Sequence, residues 1–257
     1  MDPATGLGII IGFGMLLAGY ILGEGDIPAL VAVSPVLVVF GGTLGAVLSQ
    51  FTLREIAAVP RYLSEAMQMP NAGDAALRRI IARLVTLAEK ARREGVLSLE
   101  SDIAGELLDN KYDPELRTGL RLMVDGSEPQ SIRRTLENEI ITYESRKKRE
   151  ALVFDAAGRC SVAMGAVGAV IGLIKVLGVL SEPGRLAAAA ALSLVSILYG
   201  VSFAYLFWFP LADKLRSRLT KELRRKALSI EGVMAIQAGE NPKVLRERLD
   251  VFLPKQR

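Results

Sequence analysis

The 257-residue chain has no histidine and a single cysteine, Cys160. One thiol excludes an intramolecular disulfide. Without imidazole there is no histidine-based metal site, no Ser-His or Cys-His dyad and no imidazole proton relay. A third absence is local. Four apolar segments, Gly6–Leu22, Ala32–Phe51, Cys160–Leu180 and Ala187–Pro210, contain no Asp or Glu, and Lys175 is the only charged side chain inside them. Each is near the ~20 residues a helix needs to cross a bilayer's hydrocarbon core. A conductor of protons or sodium needs an intramembrane acid or a dense set of oxygen ligands. The chain therefore reads either as a packing scaffold or as one part of a pathway whose carboxylate lies on a partner helix. It has no phosphate-binding loop, and Cys160 lies at a membrane boundary without a base, so neither enzymatic activity nor a cofactor or metal site is expected.

What is present is strongly segregated: 51% of residues are hydrophobic and 23% charged. The apolar segments form two pairs around a long charged stretch. Of the 32 Lys and Arg, 17 lie between Thr52 and Glu150 and 12 follow Pro210, whereas Gly23–Val31 has none and Ser181–Leu186 has only Arg185. The positive-inside rule places the middle segment and the C-terminus in the cytoplasm, and four spans return the N-terminus there too. The first apolar stretch is not expected to be a cleavable signal, because Met1–Thr5 carries no basic residue and a second span follows closely. The expectation is an all-α integral membrane protein with four transmembrane helices in two hairpins. Its segments are residues 1–51 (first hairpin), 52–155 (a cytoplasmic helical domain), 156–210 (second hairpin) and 211–257 (C-terminal cytoplasmic helices).

Pro60, Pro70, Pro114 and Pro129 divide the cytoplasmic stretch into several helices. Leu77, Ile80, Ile81, Leu84, Leu87 and Ala88 recur with a 3.6-residue period, so Ala75–Arg93 is predicted to be an amphipathic helix. Its other side is basic, with Arg78, Arg79, Arg83, Lys90, Arg92 and Arg93. This is either a solvated face or one that docks on an acidic protein or anionic lipid. Nucleic acid is disfavoured because no aromatic residues interleave with the charges. Gln130–Asp155 reads as a long amphipathic helix carrying Ile132, Leu136, Ile140 and Ile141 and feeding the third span. Lys214–Leu228 reads as another helix, and Gly239-Glu240-Asn241-Pro242 as a helix stop followed by a new start.

In the membrane, Gly8-x-x-x-Gly12 and Gly41-x-x-x-Gly45 suit close helix packing or a hinge, and Pro35 sits near the start of the second span. Gly165, Gly168 and Gly172 share one face of the third span. Ser196 and Ser202 of the fourth either face a pathway or pack, and its Tyr and Trp suit interfacial anchoring. Lys175, close to the far end of its span, is expected to snorkel.

Several of these pieces together resemble the MotA/PomA stator subunits of the bacterial flagellar motor, within the superfamily that includes ExbB and TolQ. They are Gly41-Gly42-Thr43-Leu44-Gly45, Ala91-Arg92-Arg93-Glu94-Gly95-Val96-Leu97-Ser98-Leu99-Glu100, Met123-Val124-Asp125-Gly126, Gly165–Gly172, Leu198-Tyr199-Gly200, Pro210-Leu211-Ala212-Asp213-Lys214-Leu215 and Glu231-Gly232 with Gly239–Pro242. The resemblance implies five copies around two copies of a single-span MotB/PomB-like partner whose aspartate binds the ion, in the bacterial inner membrane. It implies contact with the rotor protein FliG through Arg92 and Glu100, which flank Gly95.

The family also carries two coupling prolines. Pro210 matches one, but Val162 stands where the other is expected, restoring an N–H and letting the helix run on. That departure fits a divergent copy, an engineered or altered-coupling variant, or a stator with impaired torque. The threonines that line the pathway in sodium-type members fall on Ala169, Ser196 and Ile197, and the loss of hydroxyl oxygens favours protons. An ExbB/TolQ-like proton-channel subunit and a non-conducting scaffold are the alternatives. The N-terminal hairpin and the Arg92–Glu100 segment speak against the former, and Val162 for the latter.

The topology is testable with single cysteines in a Cys160→Ser background. A membrane-impermeant maleimide is expected to label positions 24 and 181 in spheroplasts and position 127 only after lysis. Protection of position 24 would overturn the four-span reading.

Overall fold

The computed structural model describes residues 3–25, 27–68, 73–104 and 114–253. Among these residues every regular element is helical. In chain order they are α1 (Pro3–Leu22), α2 (Ile27–Leu30), α3 (Val33–Val36), α4 (Gly42–Gln50), α5 (Leu53–Ala57), α6 (Val59–Met67), α7 (Asp74–Glu94), α8 (Glu100–Ala104), α9 (Pro114–Val124), α10 (Pro129–Gly178), α11 (Pro183–Phe203), α12 (Phe209–Gln237) and α13 (Pro242–Asp250). Wide π turns join α3 to α4 at Leu37–Gly41 and α11 to α12 at Ala204–Trp208, and a 3-10 turn, Val96–Leu99, precedes α8. The punctuating Pro70 lies outside the described residues.

Three stretches are long and apolar enough to cross a membrane: Val33–Gln50, part of α10, and part of Arg185–Gln237. The apolar run Gly6–Leu22 in α1 is shorter. The third span and its amphipathic lead-in are thus one helix, α10, which passes through Val162 without interruption.

The chain forms two compact units. The first comprises Met1–Met69 and Lys148–Arg216, the second Pro70–Lys147 and Ser217–Arg257. The stretch 52–69, placed with the cytoplasmic segment on sequence, groups with the first unit.

In the first unit, aromatic rings link three elements: Phe203 lies 5.0 Å from Phe13 and 4.5 Å from Phe40. The Tyr199 hydroxyl donates to the Leu30 carbonyl. Trp208 turns toward Phe154, 6.3 Å away, beside a small core of Ala66, Ala151, Leu211, Ala212 and Leu215. Thr52 opens α5 with a capping box: the Glu55 amide donates to its hydroxyl and its own amide donates to the Glu55 carboxylate at 2.8 Å. Arg149 also pairs with that carboxylate and, together with the Thr52 bonds, holds its pKa down to about 2, so it stays ionised at physiological pH.

The second unit has the larger core. All six apolar positions read from the α7 period are buried in it, with Leu116 and Leu120 of α9, Ile132 and Leu136 of α10, Leu228 and Val233 of α12, and Leu245 and Leu249 of α13. Each such Leu or Ile stabilises the fold by roughly 1.5–3 kcal/mol relative to an exposed one. Ile141 departs from the sequence reading. It is exposed while Ile140 packs on the core, because Ile132, Leu136 and Ile140 form one stripe at four-residue spacing and position 141 falls on the opposite side. The helix stop is as read: the Gly239 and Glu240 amides bond to Ile236 and Ala235, and Asn241 accepts from the Lys243 amide to open α13.

An ion pair is buried beside this core. Glu115, fully buried, faces Lys226 and lies 3.5 Å from Arg225. The Lys226 ammonium also sits 4.2 Å from the centre of the Tyr143 ring, whose hydroxyl donates to Glu222. Burial lowers the Lys226 pKa to about 8, which leaves it protonated at neutral pH.

Removing one partner of a buried pair strands the other charge. Glu115→Gln is expected to destabilise this unit by about 3 kcal/mol, and the Glu115→Leu, Lys226→Met pair to recover most of the loss. Hydrogen exchange at the α9 amides in the detergent-purified protein reads both.

Candidate functional site

The residues singled out on sequence lie in two places. Val162, Ala169, Ser196 and Pro210 belong to the first unit; Arg92 and Glu100 belong to the second.

α10 and α11 meet along a seam of small residues in matched register. Gly165 faces Gly200, Gly168 faces Ser196, and Gly172 faces Ser193. The approach is backbone to backbone: a Cβ on Gly200 would lie 2.6 Å from the Ser161 carbonyl oxygen and 2.8 Å from the Gly165 Cα. Neither atom can give way, so glycine is required there. Dispersion and Cα–H contacts hold such a seam.

The seam decides what the serines do. Ser196 is 2% exposed, and its hydroxyl donates to the Leu192 carbonyl at 3.0 Å. Ser193 donates to Ala189 and Ser161 to Gly200. Each hydroxyl proton goes to a helix carbonyl, which places Ser196 in the packing of the seam. Ala169 is buried with it and Val162 is half-buried. Away from the seam, within residues 163–170 and 194–201, the exposed side chains include Ala163, Ala166, Val167, Val170, Leu194, Ile197 and Val201, all aliphatic; Lys175, nearer the end of α10, is exposed as well.

Pro210 is half-buried in the first turn of α12, directly after the π turn Ala204–Trp208. The Phe209 amide there reaches back five residues to the Ala204 carbonyl. Proline has no N–H, and its ring clashes with the carbonyl four residues back. A widened turn accommodates both effects.

At the other place, α7 ends where Gly95 takes a φ of +86°, a conformation that L side chains rarely adopt. The 3-10 turn Val96–Leu99 then leads to Glu100 at the start of α8. Arg92 and Glu100 flank this break, as read from their spacing. Both are exposed, and among the described residues neither makes an ion pair. Lys90, a near neighbour, is instead bound 2.6 Å from Asp102.

Sequence reasoning left Ser193 and Ser161 unassigned and did not see the Glu115–Lys226 pair. A signal for the seam existed: Ser193, Ser196 and Gly200 repeat the three-then-four spacing of Gly165, Gly168 and Gly172.

Residues 6–95 match the model of the motility protein A N-terminal region, and residues 108–227 match that of the MotA/TolQ/ExbB proton channel family. The chain is 33% identical to motility protein A of Bacillus subtilis (strain 168) over 254 residues, 99% of this chain and 92% of that one. Two solved structures are similar in fold. One is MotAB of C. jejuni, with a TM-score of 0.87 and 26% identity, covering 100% of this chain and 98% of that one. The other is the flagellar MotAB stator complex from Bacillus subtilis, with a TM-score of 0.85 and 31% identity, covering 97% and 95%.

Since backbone blocks a Cβ at position 200, Gly200→Ala is expected to force the seam apart and destabilise the first unit by about 1–3 kcal/mol. Gly178→Ala, with open space around it, is the neutral control. Thermal melting of the detergent-solubilised complex compares them.

Proposed function

The chain belongs to the motility protein A group of the MotA/TolQ/ExbB proton channel family, and from that membership we propose how it works. It is a stator subunit of the bacterial flagellar motor, a membrane protein that forms an ion channel with a MotB-type partner and is not an enzyme. The motility protein A match over residues 6–95 covers the N-terminal region that speaks against an ExbB/TolQ-like role.

Four transmembrane helices in two hairpins carry both termini on the cytoplasmic side, in the inner membrane. Five copies surround two copies of the partner, and lipid surrounds the assembly. The partner's single span supplies the aspartate that this chain's spans lack. Ion passage past that aspartate turns the ring, and Arg92 and Glu100 meet charges on the rotor protein FliG. Pro210 acts at the coupling point. Val162 stands where the family resemblance implies a coupling proline, so coupling through that helix rests on α10 moving as an unbroken element.

The transported ion is the proton. The observation that carries this is the wall the chain offers. Its seam serines are bonded to carbonyls, and the exposed side chains within residues 163–170 and 194–201 are aliphatic. A dehydrated sodium ion needs several oxygen ligands in place of water. A proton needs only the partner's carboxylate and a water path.

The test uses a host lacking its own stators, expressing this chain with its partner. Swimming is expected to persist when potassium replaces sodium and to stop with a protonophore. Arrest on sodium removal alone would overturn the proton assignment. Purification from the same cells is expected to give a five-to-two complex.

A further inference from the structure

We propose that Leu97 is the apolar centre of the rotor contact, seating in an apolar socket on a rotor helix between side chains that meet Arg92 and Glu100. The proposal rests on the reading of this turn as rotor-facing and adds the residue that anchors it.

A solitary exposed leucine is ordinary on a protein surface. This one differs in how it is held. Among the described residues of the second unit, the exposed large apolar side chains are Leu97, Ile141, Val244 and Val251, and Leu97 alone lies between Arg92 and Glu100. It is 71% exposed, while Leu99 beside it is buried in the core and Val96 packs against that core. The turn is also tied by hydrogen bonds. The Ser98 hydroxyl donates to the Gly95 carbonyl at 2.7 Å, and the Ser101 hydroxyl to the Ser98 carbonyl at 3.0 Å. Lys90 bonds Asp102 at 2.6 Å and Ser101 at 3.1 Å across the break. With Val96 and Leu99 drawn inward and the backbone pinned, Leu97 is presented outward by the fold.

The charges beside it need such an anchor. Exposed ion pairs contribute little in water and are screened by salt. A contact that must transmit force is stronger when an apolar side chain fills a pocket and a polar rim keeps water out. Arg92 and Glu100, of opposite sign and unpaired within the described chain, supply such a rim. They fix the partner's chemistry as well: an apolar socket with a carboxylate toward Arg92 and a basic group toward Glu100.

Binding of the purified stator complex to purified FliG from the same organism tests this at low and high salt. Leu97→Gln is expected to weaken binding about thirtyfold at both salt concentrations, because the loss is apolar. Leu97→Met should stay within about threefold. Arg92→Ala and Glu100→Ala should cost less, and their effect should fade at high salt. If the charge variants weaken binding and Leu97→Gln does not, the anchor is refuted and the rotor-facing reading stands. If none of the three alters binding, that reading falls and the anchor with it. A Leu97→Gln complex with an altered subunit ratio would overturn the proposal by placing Leu97 against another copy of the chain.

Discussion

The contact between the backbones of Gly165 and Gly200 is the constraint on which the membrane unit depends. Two helices this close can meet in one register only, and that register brings Gly168 onto Ser196 and Gly172 onto Ser193. There is no room along the line for a carboxylate or for a hydroxyl turned outward. The serines that remain satisfy themselves on helix carbonyls, as buried hydroxyls must. Packing α10 against α11 in this way keeps ionisable side chains out of the interface between them.

Much of this was legible in the sequence, and the rest was not, for physical reasons. The α7 period identified the core face because one helix determines it. The stop and restart at Gly239–Pro242 was readable because capping is local. The three glycines of the third span announced a close interface. What faced them depended on the register between two helices, so Ser196 read equally well as a pathway lining or as packing until Gly168 was found against it. Glu115 and Lys226 were invisible as a pair because they are distant in sequence and each alone looks like a surface charge. Ile141 was misplaced because it adjoins the stripe in sequence but points well off it around the helix. Thr52-x-x-Glu55 carried a capping-box signature that was available and went unread.

The second unit is organised on other terms. It surrounds a core of leucine and isoleucine with one fully buried carboxylate and cations that answer it. Around the positive φ of Gly95 the chain leaves α7, dips Leu99 into that core and emerges at Glu100. A glycine-enforced turn on a packed base is stiff without being large. It gives that stretch of surface a fixed shape.

The two units therefore respond differently to temperature. The leucine-rich core of the second unit is held by the release of water from apolar surface, a force that weakens on cooling. The glycine seam has no such force behind it, since lipid is as apolar as the helices. It rests on dispersion between atoms already in contact and freezes few side-chain rotamers when it forms. Cold thus loosens the core of the second unit while the seam between α10 and α11 keeps its strength.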